Sequence, residues 1–244
     1  MAVRARHSAR GQHFLRSSAL AAEIVRSAGI RAGDLALDLG AGTGVLTRAL
    51  AHVGARVVAV ELDPKLADGL RGRFARVVED DILRVRLPGE PFRVVANLPF
   101  DCTTATLRRL LDSRVALQSA DVIVQWDVAV KRSAVWPSTR LGVEWGAWFE
   151  LSVARRLPRC CFAPPPSVDC GVLRATRRDA PLVPAAPKEY ARFVERGFRA
   201  GLRAVATSRQ LTRAASELGF SRHADPRDLD VYQWAALYRA VRPR

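Results

Sequence analysis

The alternation of short apolar segments with stretches of helical spacing is the feature that most constrains the fold. Five segments rich in Val and Leu are short enough for buried strands, at residues 35–39, 56–60, 76–79, 92–96 and 121–125. Apolar residues at helical spacing lie between them, as in residues 45–53 and 103–111. Strands that alternate with helices form βαβ units, so the sequence predicts an α/β fold with a parallel sheet covered on both faces.

The pattern changes after about residue 148. Two strand-like segments, 148–156 and 168–177, flank the proline-rich residues 163–166 and predict an antiparallel pair that closes the sheet. Residues 180–187 contain three prolines and predict a linker, and three helical patterns follow at 188–205, 208–218 and 228–241. The predicted organisation is a basic arm over residues 1–16, an α/β domain over residues 17–178 and a small helical domain over residues 179–244.

Positive charge is concentrated at the two ends of the chain. The formal net charge is +15, of which residues 1–16 contribute +4 and residues 174–244 contribute +8. Because the central 157 residues are almost neutral, this distribution favours a polyanionic partner over charge that serves solubility alone. Arginines recur at spacings of 4, 3 and 4 on one face of the predicted helix at 188–205. We expect the following arginines of the arm and of this helix to contact phosphates: Arg4, Arg6, Arg10, Arg192, Arg196, Arg199 and Arg203.

Several classes of protein are excluded by what the sequence lacks. No apolar run reaches the roughly 18 residues needed to span a membrane, and residues 1–16 contain no apolar core of a secretory signal. The four cysteines form no Cys-x-x-Cys pair and the four histidines are scattered, so neither a metal site nor a disulfide framework is expected. We therefore expect a cytoplasmic protein, monomeric and without a metal.

A glycine-rich loop follows the first predicted strand and precedes a helix. Gly40, Gly42 and Gly44 would let the backbone approach a ligand closely, with the amides of the helix N-terminus beside it. The third glycine follows the second by two residues, whereas the dinucleotide fingerprint has three. Asp38 immediately precedes the loop, where its carboxylate would repel a diphosphate but suits a ligand that carries an ammonium group.

Acidic residues also follow the second and third predicted strands. Glu61 is placed to accept both hydroxyl groups of a ribose, and Asp81 is placed to accept from an adenine amino group. Together with Asp38 they provide for an amino-acid end, a ribose and a base. The sequence therefore predicts S-adenosylmethionine as the cofactor, rather than a nicotinamide dinucleotide.

The fourth predicted strand ends in Asn97-Leu98-Pro99-Phe100. This tetrapeptide resembles the Asn/Asp-x-Pro-Tyr/Phe motif of class I methyltransferases that act on amino nitrogens. Together with residues 12–15 and 162–169, the set of motifs resembles the ribosomal RNA adenine-N6 methyltransferases over most of the chain. The resemblance implies a Rossmann-like class I methyltransferase sheet, mostly parallel with an antiparallel strand pair at its end, followed by a small helical RNA-binding domain.

The chemistry of the target explains the tetrapeptide. The lone pair of adenine N6 is delocalised into the ring, so acceptors that hold the amine and localise its lone pair matter more than a general base. The Asn97 side-chain oxygen and the Leu98 carbonyl would be these acceptors, and Pro99 would fix the turn. Phe100 would stack on a flipped-out adenine. The resemblance implies that Phe162 stacks on the other face of the base, although a core aromatic would give the same sequence pattern.

The amino-terminal motif departs from the family pattern Gln-Asn-Phe-Leu, because His13 replaces the asparagine. An imidazole nitrogen could make one hydrogen bond to the cofactor where an amide makes two, so cofactor affinity is the property that this departure affects. Leu15 would contact the cofactor through its backbone. The complete predicted cofactor set is His13, Leu15, Asp38, Gly40, Gly42, Glu61, Leu62, Asp81, Ile82 and Asn97.

Two groups of enzymes share these motifs. The erythromycin-resistance (Erm) enzymes modify one adenine of 23S ribosomal RNA, and the small-subunit dimethyladenosine transferases modify two adjacent adenines of 16S ribosomal RNA. Ala96 in place of a glycine, the sequence of residues 125–128, the arm at residues 6–10 and the Trp-rich residues 144–150 favour Erm, whereas residues 11–12 and 162–166 favour the small-subunit enzymes. The sequence thus predicts N6-methylation of 23S ribosomal RNA that confers macrolide, lincosamide and streptogramin B resistance. The alternatives are 16S ribosomal RNA dimethylation and a non-enzymatic RNA-binding assembly or transcription factor on a retired methyltransferase fold.

Overall fold

The computed structural model describes residues 12–74, 76–184 and 186–241. The predicted RNA contacts Arg4, Arg6 and Arg10 lie outside these residues. The chain divides into two compact units: the first contains the residues up to Ala129 together with Val153–Thr176, and the second contains Val130–Ser152 and the residues from Arg177 onward.

The first unit is built on a central sheet. The strands of the chain are β1 (Phe14–Leu15), β2 (Leu35–Leu39), β3 (Arg56–Glu61), β4 (Val77–Glu79), β5 (Phe92–Asn97), β6 (Leu117–Gln125), β7 (Phe149–Leu157), β8 (Phe162–Ala163) and β9 (Cys170–Arg177). Seven of them form one sheet in the order β4-β3-β2-β5-β6-β9-β7, and β1 pairs with β8 separately. The pairs among β2 to β6 are parallel and β9 is antiparallel to β6, which confirms the predicted α/β class.

The helices of the first unit alternate with its strands, and local side chains cap α1 and α3. They are α1 (Ser18–Ser27), α2 (Val45–His52), α3 (Pro64–Arg71) and α4 (Thr103–Leu110), and α5 (Trp126–Ser133) starts in this unit. Ser17 accepts from an amide of the first turn of α1, and Asp63 does the same for α3. α1 and α2 pack against one face of the sheet, where Ile24, Leu50 and Val95 belong to one apolar cluster.

The second unit is helical. It contains α6 (Arg140–Gly146), α7 (Pro187–Ala200), α8 (Ser208–Leu218) and α9 (Val231–Val241). Its core is aromatic: Tyr190, Phe193 and Tyr238 meet edge to face, with ring centroids 5.0 and 5.2 Å apart for the two pairs that include Tyr238. Trp234, which is completely buried, packs edge to face against Phe193.

The helix predicted at 188–205 is shorter in the structure and ends at Ala200. Gly201 has a φ of +80°, which stops the helix because this backbone conformation is compatible with glycine but not with a continued helix. Arg203 therefore lies in the following 3-10 turn, Leu202–Ala204, and not on the arginine face of the helix. Arg192, Arg196 and Arg199 do lie on α7 and are exposed.

The last predicted helix begins three residues later than expected. Pro226–Asp228 form a 3-10 turn, and Asp230 then accepts a 2.8 Å hydrogen bond from the Gln233 amide at the start of α9. A capping aspartate thus sets the start at Val231, inside the pattern predicted for 228–241.

The glycine within α7 tests the packing of the second unit. A methyl group at Gly197 would overlap the buried indole of Trp234, whereas one at Gly69 in α3 would meet open space. We expect Gly197→Ala to lower the free energy of unfolding by about 1–3 kcal/mol, because overpacking outweighs the gain in helix propensity. Gly69→Ala, the matched control, should raise it by about 0.5–1 kcal/mol. Denaturant titrations of the two variants measure this, and equal gains in stability would contradict the packing.

Candidate active site

The site lies where the order of the strands reverses. β2 is central, with β3 on one side and β5 on the other, so the loops that leave the carboxyl ends of β2 and β5 open a crevice between them. The glycine loop leaves β2 here, and Asn97 ends β5 beside it. A Cβ on Gly40 would lie 3.6 Å from Pro99 Cδ and 3.8 Å from the Asn97 carbonyl, so the two predicted motifs are in contact.

The glycine loop requires its glycines. Gly40, Gly42 and Gly44 have φ values of +76°, +54° and +77°, a region that other residues rarely adopt. A Cβ on Gly42 would also lie only 2.7 Å from Phe14 Cε1. The loop is thus held close to the ring of Phe14, a contact that the motif at residues 12–15 does not by itself predict.

Glu61 ties the end of β3 to the glycine loop. Its Oε2 accepts a 2.7 Å hydrogen bond from the Gly42 amide, and its Oε1 accepts from the amides of Leu62 and Asp63, both at 2.9 Å. A carboxylate has about four lone-pair positions, so three backbone donors leave one open for a ribose hydroxyl. Accepting both hydroxyls, as the sequence predicts, requires the bond to Gly42 to open. Leu62 beside it is 36 % exposed and available to a ligand.

Asp38 faces α2. It is 1 % exposed, and its Oδ2 accepts a 2.6 Å hydrogen bond from the Thr47 hydroxyl. Burial raises the pKa of Asp38 from 3.8 to about 7, because desolvation outweighs the hydrogen bond from Thr47. Thr47 was missed in the sequence, although a threonine on the apolar face of a helix was the available signal. The predicted contact of Asp38 with a ligand ammonium group stays a prediction.

Asp81 and Ile82 open a tight turn after β4. The Asp81 Oδ1 accepts a 2.8 Å bond from the Leu83 amide, and the Asp81 carbonyl accepts from the amides of Arg84 and Val85, each at 2.8 Å. Ile82 is 7 % exposed and anchors the turn. Among the described residues Asp81 Oδ2 has no hydrogen-bond partner, so this oxygen is available to an adenine amino group.

The amide of Asn97 is oriented by the amino-terminal segment. Its Nδ2 donates a 2.6 Å hydrogen bond to the carbonyl of His13, which leaves its Oδ1 as an acceptor. The amide of Leu98 donates to the Ile123 carbonyl at 3.2 Å, and the carbonyl of Pro99 accepts from the Thr103 hydroxyl at 3.0 Å. The tetrapeptide is therefore fixed from three sides.

The amino-terminal segment lies over the site. β1 pairs with β8 so that Leu15 is opposite Phe162. His13 Nδ1 is 2.8 Å from the Pro164 carbonyl and must donate to it, because a carbonyl oxygen only accepts. The imidazole of His13 also lies against Phe100, with ring centroids 5.3 Å apart.

The predicted catalytic and cofactor residues lie in and before the glycine loop, at or just after the ends of β3, β4 and β5, and at the β1–β8 pair. The two aromatic residues predicted to stack on the base differ in exposure. Phe162 is 1 % exposed and belongs to the apolar cluster that also contains Leu15 and Leu157. In this arrangement it is a core residue, and stacking on a base requires that its ring be uncovered. Phe100 is half-buried and packs at the edge of the same cluster, so part of its surface is open.

Within the described parts of the chain, no group of three or more His, Cys, Asp or Glu could hold a metal ion. No helix among the residues that the structure covers combines the length and the apolar character needed to cross a membrane.

Three features define a class I methyltransferase. They are a glycine loop after the central parallel strand, an acid at the end of the next strand and an Asn-x-Pro-Phe turn on the other side. The family described as ribosomal RNA adenine dimethylase matches residues 3–239, and the chain belongs to this family.

Two relatives and one solved structure illustrate the similarity. The mycinamicin-resistance protein MyrB of Micromonospora griseorubida is 36 % identical, and the alignment covers 99 % of this chain and 80 % of MyrB. The ribosomal RNA small subunit methyltransferase A of a Synechococcus strain is 34 % identical and covers 93 % of this chain and 90 % of its own length. The crystal structure of the 23S rRNA methyltransferase ErmE superposes with a TM-score of 0.84 at 30 % identity, covering 93 % of this chain and 99 % of that one.

The burial of Asp38 predicts a pH dependence of stability. Because its pKa is about 7 in the folded chain and near 3.8 when exposed, the folded state binds the extra proton between those values, and stability falls as the pH rises through that window. Relative to Asp38→Asn, which keeps an acceptor for Thr47, the wild type should lose up to about 1.4 kcal/mol per pH unit between pH 4 and 7 and nothing further above pH 8. Denaturant titrations at pH 5, 6, 7 and 8 measure the difference, and parallel curves for the two proteins would refute the assignment.

Proposed function

We propose that this protein transfers a methyl group from S-adenosylmethionine to the N6 atom of one adenine of 23S ribosomal RNA, and that the modification confers resistance to macrolides, lincosamides and streptogramin B. The observation that carries the proposal is the orientation of Asn97. Its Nδ2 donates to the His13 carbonyl, which leaves its Oδ1 as an acceptor, and Asn97 lies beside the glycine loop.

The residues of the crevice fit this cofactor. The loop glycines have positive φ values, and a Cβ at Gly42 would disrupt the loop conformation. Oxygen acceptors remain on Glu61 and Asp81. Glu61 would hold the ribose, Asp81 and Ile82 the adenine, and His13 Nε2 and the Leu15 backbone would contact the cofactor at the amino-terminal segment. When bound, S-adenosylmethionine supplies an electron-poor methyl group on a sulfonium.

The tetrapeptide would then activate the target adenine. Asn97 Oδ1 and the Leu98 carbonyl would accept the two hydrogens of the N6 amino group, which would hold the nitrogen in place and localise its lone pair. Phe100 stacks on the flipped-out base, and its open surface is the one available for this. After transfer the excess proton leaves to solvent, so no dedicated base is needed.

The second unit and the arm would bind the RNA backbone. Residues 174–244 contain 15 basic and seven acidic residues, and none of the ion pairs in the described part of the chain involves the exposed Arg192, Arg196 and Arg199. Cations without an acidic partner retain their full attraction to phosphate. We also expect Arg203, although it lies off the helix face, to contact phosphates, and the same expectation holds for Arg4, Arg6 and Arg10 of the arm.

The choice of 23S over 16S ribosomal RNA rests on Ala96 and residues 125–128, and on the similarity to MyrB and ErmE. Expression in a sensitive host, with macrolide, lincosamide and streptogramin B susceptibility measured and the modified base mapped by mass spectrometry, tests it. Methylation of 16S RNA with unchanged susceptibility would make the small-subunit function the right one. Absence of S-adenosylmethionine binding in a calorimetric titration would instead favour the non-enzymatic alternative.

Substitution of Asn97 separates its two hydrogen bonds. Asn97→Ala should lower the methylation rate of bare 23S RNA about 100-fold or more, because the N6 acceptor is lost. Asn97→Asp keeps an acceptor but loses the donor to the His13 carbonyl, so we expect an intermediate rate. Incorporation of labelled methyl groups measures both, and an undiminished rate in Asn97→Ala would remove that residue from the mechanism.

Charge reversal on α7 tests the RNA surface. The triple variant Arg192→Glu, Arg196→Glu, Arg199→Glu should bind RNA more weakly and with a shallower salt dependence, each lost phosphate contact reducing the slope of log K against log salt by about 1.

The matched control makes the same change in net charge on the first unit, at three exposed arginines that have acidic partners: Arg56, Arg71 and Arg114. Binding measured from low to high salt should be altered much less in the control, and S-adenosylmethionine affinity should be unchanged by the α7 substitutions. An equal effect of both triple variants would mean that net charge alone, and not the α7 face, governs binding.

A further inference from the structure

The turn that carries Asp81 is held from outside by one side chain. Arg109, on the last turn of α4, donates from Nη1 to the Ile82 carbonyl at 2.7 Å and from Nη2 to the carbonyls of Arg84 and Val85, the former at 3.3 Å. The guanidinium therefore donates to three carbonyls of one short segment, those of residues 82, 84 and 85. α4 begins directly after the Asn97–Phe100 tetrapeptide, so Arg109 links the helix behind the proposed target-adenine site to this turn.

The three carbonyls need such a partner. Residues 81–85 form an isolated helical turn in which the Asp81 carbonyl accepts from the Arg84 and Val85 amides, and the carbonyls that follow have no helix to continue into. Ile82 and Val85 are both buried, 7 % and 6 % exposed, so loss of their carbonyl partner would leave acceptors unpaired at the edge of the core. A planar guanidinium with five donors can satisfy all three at once, which an ammonium group cannot.

The guanidinium of Arg109 is partly removed from water in this position. This desolvation lowers the pKa of Arg109, whereas the nearby carboxylates of Asp80 and Asp81 raise it. The Arg109 guanidinium also attracts the carboxylate of Asp81. Asp81 Oδ1 accepts from the Leu83 amide, and Asp81 Oδ2 is open. Both oxygens are thus placed by the conformation of the turn, and the turn is placed by Arg109.

We propose that Arg109 is a positioning residue that sets the selectivity of the cofactor pocket for an adenine base. By fixing residues 81–85 it presents Asp81 Oδ2 as an acceptor to the exocyclic amino group of adenine. A hypoxanthine base, which has a carbonyl oxygen at that position, is rejected because two acceptors face each other. This inference rests on the proposed function, since it assumes that the pocket takes S-adenosylmethionine.

The test compares two ligands that differ only at this position of the base. S-adenosylhomocysteine and S-inosylhomocysteine are titrated calorimetrically into the full-length wild type and into Arg109→Met, Arg109→Lys and Arg108→Met. Arg108 is the matched control, because it is the adjacent arginine on α4, exposed, and makes no hydrogen bond among the described residues. The ratio of the two dissociation constants is independent of the fraction of folded protein, so reduced stability of a variant does not obscure the result.

We expect the wild type and Arg108→Met to prefer S-adenosylhomocysteine by about tenfold or more, the size of a lost hydrogen bond to a charged group. In Arg109→Met the preference should fall to about twofold or less, mainly through weaker binding of S-adenosylhomocysteine, and Arg109→Lys should lie between. An undiminished preference in Arg109→Met would overturn the proposal, as would a wild type that binds both ligands equally. A wild type that binds neither ligand would instead refute the proposed cofactor, and with it the function on which this inference rests.

Discussion

The reversal of strand order at β2 is the constraint on which the site depends. Because β3 and β4 lie on one side of β2 and β5 and β6 on the other, the chain must leave β2 and β5 in divergent directions. The glycine loop and the Asn97–Phe100 turn therefore face each other across a crevice that no other pair of neighbouring strands provides. Residues that are 57 positions apart in the sequence, Gly40 and Asn97, come into contact for this reason alone.

The two acidic side chains at this crevice, Glu61 and Asp38, have different hydrogen-bond donors. Glu61 receives three backbone amides, a charge-assisted arrangement that lets a carboxylate remain buried. Asp38 has a single side-chain donor, Thr47, and burial raises its pKa to about 7. A carboxyl group at two adjacent strand ends thus has two different roles: Glu61 ties β3 to the glycine loop, and Asp38 ties β2 to α2.

The regular elements of the first unit could be predicted because their pattern is local. The apolar segments at 35–39 and 56–60 coincide with β2 and β3, and the Asn-Leu-Pro-Phe turn is at the predicted strand end. The predictions that were wrong have physical causes that a local sequence pattern does not contain. The arginine spacing predicted that the helix continues through Arg203, but the backbone at Gly201 ends it. Strand β6 extends back to Leu117 through polar residues because it pairs with β5 on one edge and with β9 on the other.

Side-chain partners were the least predictable part of the site. Asp38, Glu61 and Asp81 could be placed at strand ends from the sequence, and the bond from the Leu83 amide to Asp81 is local. The partners of Asp38 and Glu61 could not be predicted, because the Thr47 hydroxyl and the Gly42 amide reach them only through the fold. Phe162 illustrates the same limit, since an aromatic beside prolines has the same sequence whether it stacks on a ligand or fills the core. In this structure its ring is 1 % exposed and packs in the core, and its stacking on a base stays a prediction.

The departure from the family pattern at His13 has a narrower effect than the sequence indicates. The contact that orients Asn97 is made by the main-chain carbonyl of residue 13, and any residue at that position supplies the same acceptor. What the imidazole changes is the side-chain bond to the Pro164 carbonyl and the ring contact with Phe100. The backbone pairing of β1 with β8 keeps that carbonyl in place, so the geometry of the tetrapeptide does not depend on the side chain at position 13, whereas the proposed cofactor contact of the imidazole does.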